Sequence, residues 1–168
     1  MAFSKNQKRA IKSIAYAETG SFPNPDEVVG ADGELTRYQV KPATAADPGL
    51  RGVKAAKNRA DYPRFAKDYI VALIKRYGGD VKDAAIAYNM GFGRMDKWIK
   101  DGRSSTSKHR PPKSTRKYVQ RFYKEFSKGV VPPAPKSKPE VPKVLQARLE
   151  SLENQKKVYE RSGDAQAP

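Results

Sequence analysis

The chain has 168 residues with 34 Lys and Arg, 18 Asp and Glu, one His and no Cys, for a formal net charge of +16. That length suits one domain of ordinary size, or a smaller domain with an appendage, and it excludes a disulfide-stapled miniprotein; zinc sites of the Cys or poly-His type are excluded with it. The excess charge is positive, so the first partners to consider are polyanions: nucleic acid, acidic lipid or anionic cell-envelope polymers.

Taken in chain order, Ser4 followed by Gln7 fits a capping box that opens a helix, and Gly20 closes it. The basic N-terminal stretch MAFSKNQKRAIKSIAYAE has lysines interrupting its apolar residues and no small-residue cleavage site after it, so it does not read as a secretory signal, and a start in the cytoplasm is expected. ELTRYQV alternates only weakly, the sole hint of a strand. Pro63 in a first helical turn leads into Ala66, Tyr69, Ile70, Leu73, Ile74 and Tyr77, spaced for one buried face and stopped by Gly78 and Gly79. Within it lies the longest apolar run, YIVALI at residues 69–74, far short of the roughly 18 to 20 residues that cross a bilayer. Asp80 caps a helix through Val81, Ala84, Ala85 and Tyr88 that ends at Gly91, and a short helix follows around Met95, Trp98 and Ile99. Ser114 or Thr115 is expected to cap the last helix, with Tyr118, Val119, Phe122 and Phe126 facing inward. The expectation is a mainly α domain over residues 1–126.

Beyond it the composition changes. Residues 130–142, VVPPAPKSKPEVP, hold five prolines in thirteen positions and mark a semi-rigid linker, taken as residues 127–142. In residues 143–168, Leu145, Leu149, Leu152 and Tyr159 form a narrow apolar stripe on a short helix that ends in a frayed SGDAQAP. Such a helix is marginal alone, so docking to a partner through residues 143–162, or self-association, is expected over a helix folded back on its own domain.

Glu18 is the most informative residue. Ile11, Ile14, Ala15 and Glu18 stand at i, i+3, i+4 and i+7, which places a carboxylate at the C-terminal end of an apolar face. Desolvation and the negative end of the helix dipole both raise its pKa, the condition a general acid needs near neutral pH. By itself this does not separate an acid catalyst from a capping carboxylate.

Four ordered segments add to it: IKSIAYAETGSFPNP, GELTRYQVKPATA at 33–45, YGGDVKDAAIAYNMGFGRMDKW at 77–98 and STRKYVQRFYKEF at 114–126, with Asp47, Pro48 and Asn58 between the second and third. Over nearly all of residues 6–126 the chain resembles the soluble lytic transglycosylases, which have a lysozyme-like fold and cleave the glycan strands of bacterial peptidoglycan. The resemblance implies that Glu18 is the catalytic acid and base, and that Thr19, standing where a Ser is usual and keeping the hydroxyl, is a substrate-binding residue beside it. It implies sugar contacts from Gln39, which matches the Gln of the family's Gly-Leu-Met-Gln stretch although Thr36, Arg37 and Tyr38 replace the residues before it. Tyr88 and Asn89 fall on the family's Ala-Tyr-Asn beside the scissile bond, and Tyr118 on the late Tyr that hydrogen-bonds the catalytic carboxylate. The implied reaction closes a 1,6-anhydro ring on N-acetylmuramic acid and requires no second carboxylate, no cofactor and no metal.

Three other readings are weighed against this one, among them an inactive wall-binding or structural relative that keeps the fold. A hydrolytic lysozyme is the nearest, because Asp26, Glu27, Asp32 and Glu34 crowd the loop after Glu18 and one of them can position water; the expectation is that they are solvated loop charges. A basic nucleic-acid-binding protein is the third: residues 94–121 hold ten Lys and Arg against Asp96 and Asp101, interleaved with Trp98 and Tyr118. It gives no reason for Glu18 or for the four ordered segments. His109 is expected to be a polar surface residue, and Trp98 and Phe92 to pack.

Residues 1–126 carry 26 Lys and Arg against 13 Asp and Glu, and the remainder 8 against 5, so the charge belongs to the domain and not to a basic arm. It suits steering toward an anionic wall, with non-specific DNA contact as a second use. The unsignalled N-terminus and the tail together lead to the expectation of a phage virion enzyme that opens the host wall.

Overall fold

The structure, a computed structural model, describes residues 2–128. The linker expected at 127–142, apart from Ser127 and Lys128, and the helix expected at 143–168 lie outside the described residues.

Six α-helices form the described part: α1 (Lys5–Thr19), α2 (Pro42–Ala46), α3 (Tyr62–Arg76, entered through a 3-10 turn at Arg59–Asp61), α4 (Val81–Met90), α5 (Phe92–Lys100) and α6 (Lys113–Phe126). The fold is mainly α, as expected. α1 begins with the capping box read from the sequence: the Ser4 hydroxyl accepts from the Gln7 backbone N–H at 3.2 Å, and the Gln7 side chain accepts from the Ser4 N–H at 2.8 Å. It ends where Gly20, at φ 62, turns the chain away and donates its N–H to the Tyr16 carbonyl. That stop leaves Glu18 in the last turn, one residue from the end of the helix.

α3 buries Tyr62, Phe65, Ala66, Tyr69, Ile70, Leu73 and Ile74, while Tyr77, expected on the same face, is half-buried at the C-cap. α4 is buried more widely than one stripe, with Ala84, Ala85, Ile86 and Ala87 all enclosed, because it packs against α3, α5 and α6 and also touches α1. Its small side chains allow those close approaches. Asp80 caps it by accepting from the Lys82 and Asp83 N–H groups at 2.7 and 3.0 Å.

α6 corrects one expectation. It starts at Lys113 after Pro112, with no side-chain cap, so Ser114 and Thr115 lie inside the helix instead of capping it. Pro112 ends the loop in extended backbone, and Thr115 turns inward, buried, to donate to Asn89 of α4. The α6 face that meets α1 and α4 carries Tyr118 and Phe122, both buried; Val119 and Phe126 are only half-buried at its edge.

The weak strand pattern becomes a compact loop in place of a strand. Leu35 and Val40 exchange both backbone hydrogen bonds at 3.0 Å, closing residues 36–39 into a tight turn, and Leu35 also bridges to Val29. Thr36 at φ 66 and Gln39 at φ 47 both occupy the left-handed region. This loop, tied to α4 by the Tyr88 hydroxyl donating to the Tyr38 carbonyl at 2.7 Å, stands beside the C-terminal end of α1.

Candidate active site

A cleft of about 570 Å³ runs between the end of α1, the 30–44 loop region, α3 and the C-terminal end of α4. Glu18, Gln39, Tyr88 and Asn89, singled out from the sequence, all line it, with Glu34, Lys41, Tyr69 and Gly91. Its walls suit a polar, ring-shaped ligand: aromatic faces from Phe65, Tyr69 and Tyr88 alternate with amide and carboxylate groups.

Glu18 sits partly exposed at this cleft, and burial of its carboxylate raises its pKa from 4.5 to about 7. Two neighbours on α6 oppose the rise, the Tyr118 hydroxyl and then the Arg121 guanidinium, while the charge of Glu34 adds to it. Arg121 is fixed by donating from Nε to the Ala17 carbonyl at 3.1 Å, and its guanidinium lies 5.9 Å from the centre of the Tyr118 ring. The Tyr118 hydroxyl is buried beside the carboxylate, near enough to lower its pKa, yet the pair does not reach hydrogen-bond geometry and the hydroxyl has no partner among the described residues. Burial pushes the Tyr118 and Tyr88 hydroxyls well above their ordinary range, so both remain donors at any working pH.

The other expected residues divide. The Asn89 carbonyl oxygen accepts from Thr115 Oγ1 at 2.7 Å, which leaves its amide N–H₂ group for the cleft. Gln39 is held the opposite way: its side-chain N–H₂ donates to the Thr36 carbonyl at 2.9 Å and more weakly to Val28, leaving Oε1 free. Tyr88 offers its ring, because its hydroxyl is engaged by Tyr38. Thr19 does not join them. Its hydroxyl donates to the Ala15 carbonyl at 3.1 Å, and the residue lines a separate depression with Lys8, Lys12, Tyr16 and Arg37.

Of the four loop acids, Asp26 is tied to Arg37 at 2.6 and 2.7 Å, which holds its carboxyl below the usual range, and Asp32 is tied to Lys41 at 2.8 Å. Their side chains are 51% and 70% exposed, whereas that of Glu34 is 17% exposed and faces the cleft. Glu34 thus departs from the expectation of a solvated charge. Nothing in the sequence marks the part Arg121 plays, since a cation on a helix carries no signal until the partner helix is placed, and Thr115, expected as a cap, instead orients Asn89. His109 accords with a surface role, pairing its Nδ1 with the Asp101 carboxylate at 3.0 Å. Trp98 packs under Arg103 and donates to the Ser104 carbonyl.

Among the described residues no group of His, Asp and Glu is arranged as a metal site, and no helix is long and apolar enough to cross a membrane. Residues 3–110 match the family model described as Transglycosylase SLT domain. The chain belongs to this family. Its SLT domain implies lytic transglycosylase activity on peptidoglycan, and the match contains Glu18, Thr19, Gln39, Tyr88 and Asn89. Tyr118 and Arg121 lie beyond the matched residues, on α6, which packs along α1 and completes the surroundings of Glu18. No curated protein and no solved structure matches the chain.

Proposed function

We propose that the chain cleaves the β-1,4 bond between N-acetylmuramic acid and N-acetylglucosamine, with Glu18 acting first as acid and then as base. The observation that carries this reading is a carboxylic acid with a pKa near 7 opening onto a 570 Å³ cleft lined by aromatic rings and oriented amides. Protonated Glu18 gives its proton to the glycosidic oxygen, the C1–O bond breaks, and N-acetylglucosamine leaves with its 4-hydroxyl restored. The substrate's own N-acetyl group stabilises the positive charge at C1. The Glu18 carboxylate then takes the proton of the muramoyl 6-hydroxyl, whose oxygen bonds to C1 and closes the anhydro ring. Tyr118 hydrogen-bonds the carboxylate once it has given up its proton, Asn89 donates to the sugar, Gln39 accepts from it, and Tyr88 supplies an apolar face.

Replacing Glu18 with Gln keeps size and hydrogen bonding but removes the transferable proton, so clearance of purified peptidoglycan is expected to fall to background; clearance at the wild-type rate overturns the assignment. The position of Glu34 in the same cleft favours a second reading, hydrolysis, with that carboxylate holding a water. Mass spectrometry of the released muropeptides separates the two: anhydro ends mark transglycosylation and reducing ends mark hydrolysis.

The site of action proposed is the wall of a phage's host, reached from the virion. The proline-rich segment at 130–142 and the apolar stripe of Leu145, Leu149, Leu152 and Tyr159 support attachment to other virion proteins. Finding the protein in lysates but never in purified particles rejects this in favour of a late lysis enzyme. The ten cations of residues 94–121 support an accessory, non-specific contact with DNA, which is expected to weaken steeply as salt is raised.

A further inference from the structure

The depression that takes in Thr19 differs in charge from the cleft beside it. It encloses about 320 Å³, and its walls carry Lys8, Lys12 and Arg37 with no acid among the described residues that line it. The cleft has the reverse balance, Glu18 and Glu34 against Lys41. Arg37 is committed to Asp26 through two hydrogen bonds, and Lys12 and Lys128 share the one carboxylate of Glu125. Lys128 also stands 5.2 Å from the centre of the Tyr16 ring, at the edge of the depression. Lys8 has no acidic partner among the described residues. Four cations thus face two acids, and the surplus is positive. Between the charges lie Ile11, Ala15 and Tyr16, which share a face of α1 with Lys8 and Lys12 and make an apolar floor.

One narrow ridge separates the two hollows. Residues 36–39 turn Gln39 toward the cleft and Arg37 and Tyr38 toward the depression; at the end of α1, Glu18 opens on one side and Thr19 on the other. Consecutive Cα atoms are only about 3.8 Å apart, so a branched ligand seated in the cleft can reach over.

We propose that the depression is a subsite for the peptide stems of peptidoglycan, short chains that branch from the glycan and carry both carboxylates and alanine methyl groups. This rests on the reading of the cleft as the glycan site. The carboxylates pair with Lys8 and Lys12, and the methyl groups lie on Ile11, Ala15 and Tyr16. A nucleic-acid backbone would use the cations and leave the apolar floor empty.

The test is a titration of the nitrogen-15-labelled full chain with a free stem peptide, L-Ala, D-Glu, a diamino acid and D-Ala, followed by amide shifts. Shifts are expected at Lys8, Lys12, Tyr16 and Gly20. Lys8 is exposed near the start of α1, where an acid suits the helix dipole, so Lys8→Glu keeps the fold while reversing the unpaired charge. It is expected to weaken binding about 10-fold at low salt, and amidating the peptide's carboxyls is expected to do the same. In turnover, Lys8→Glu should raise KM for stem-bearing strands about 5-fold relative to strands stripped of their stems. Shifts confined to cleft residues such as Gln39 and Asn89, equal binding of the amidated peptide, or an unchanged KM ratio overturns the proposal. So does a short DNA duplex that shifts the same amides at lower concentration than the peptide. The titration reads binding without turnover, so its failure removes the subsite alone, whereas clearance by Glu18→Gln at the wild-type rate removes the cleft reading beneath it.

Discussion

On the α6 side of Glu18 stand a buried hydroxyl and a guanidinium, Tyr118 and Arg121; the loop side of the same cleft carries the carboxylate of Glu34 and Gln39 Oε1. The first wall lowers the pKa of Glu18 and the second raises it. The helix wall is made by periodicity, since Thr115, Tyr118 and Phe122 recur at helical spacing on one buried face. The loop wall is made by turns, with two left-handed residues and a glycine that leaves room for two oxygens. Burial by the whole fold supplies most of the rise, and the two walls trim it in opposite directions around neutrality. A one-carboxylate mechanism needs that balance, because the same group must give a proton and then accept one.

The largest effect is expected from Glu18→Gln, which removes the group that both walls act upon. Activity should fall by roughly 10³-fold. Stability should move the other way. Folded Glu18 holds its proton up to about pH 7, against an ordinary value of 4.5. Between those pH values the folded state binds more protons than the unfolded one, so the native protein loses stability as pH rises through the window, and the penalty is complete above it. Its size, allowing for partial exposure, is about 2 kcal/mol. The Gln variant should therefore unfold at higher denaturant than wild type at pH 8 and show no such gain at pH 4; an equal difference at both values would mean that burial does not penalise the charge.

Tyr118→Phe breaks the helix wall alone. The hydroxyl it removes is buried without a partner among the described residues, so stability should stay level or rise slightly, while kcat falls about 10-fold because the ionised acid loses the hydrogen bond proposed for it. The alkaline limb should move up, because a group that lowers the Glu18 pKa is gone. A large loss of stability with an unchanged pH profile would reduce Tyr118 to a core residue. Gly30→Ala breaks the loop wall alone. Its new methyl displaces the ends of two side chains more than any backbone, so activity is expected to drop several-fold with a stability cost of only about 1 kcal/mol, read by thermal unfolding.

The same division explains what could be read in the sequence. α1, α3, α4 and α5 were legible because their apolar spacing and their stop signals, Gly20, Gly78 with Gly79, and Gly91, report local geometry. Glu18 was legible because it extends such a face by one turn. The start of α6 was misread because Ser and Thr are good caps in general, and only the position of Asn89 shows why Thr115 turns inward. Nothing local in the sequence distinguishes Glu34 from Asp32 two residues earlier; both pair with Lys41, and it is the space left by Gly30 that the Glu34 carboxylate occupies. α2 carried no periodic signal, being only five residues long. Thr19, placed by resemblance near the sugar, turned its hydroxyl back onto its own helix, as threonines in a last turn can do.

The smallest expected effect concerns Thr36, where the loop wall departs from the glycine that the family resemblance implies. Thr36 is buried and β-branched, and it adopts φ 66, a conformation that crowds its Cβ. Its hydroxyl gives little back, accepting only a long 3.4 Å contact from the Tyr38 N–H. Ala and Gly at this position both lose the methyl and the hydroxyl, so comparing them isolates the backbone. In a helix or strand interior Gly is the worse of the two by roughly 0.5–1 kcal/mol. At Thr36 the order should invert, with Thr36→Gly more stable than Thr36→Ala by about 1 kcal/mol, because only Gly occupies the left-handed region without a Cβ penalty. Denaturant unfolding of the two variants reads this directly. If Ala is the more stable, residue 36 is not held left-handed in solution, and the turn that frees Gln39 Oε1 toward the cleft must be closed some other way.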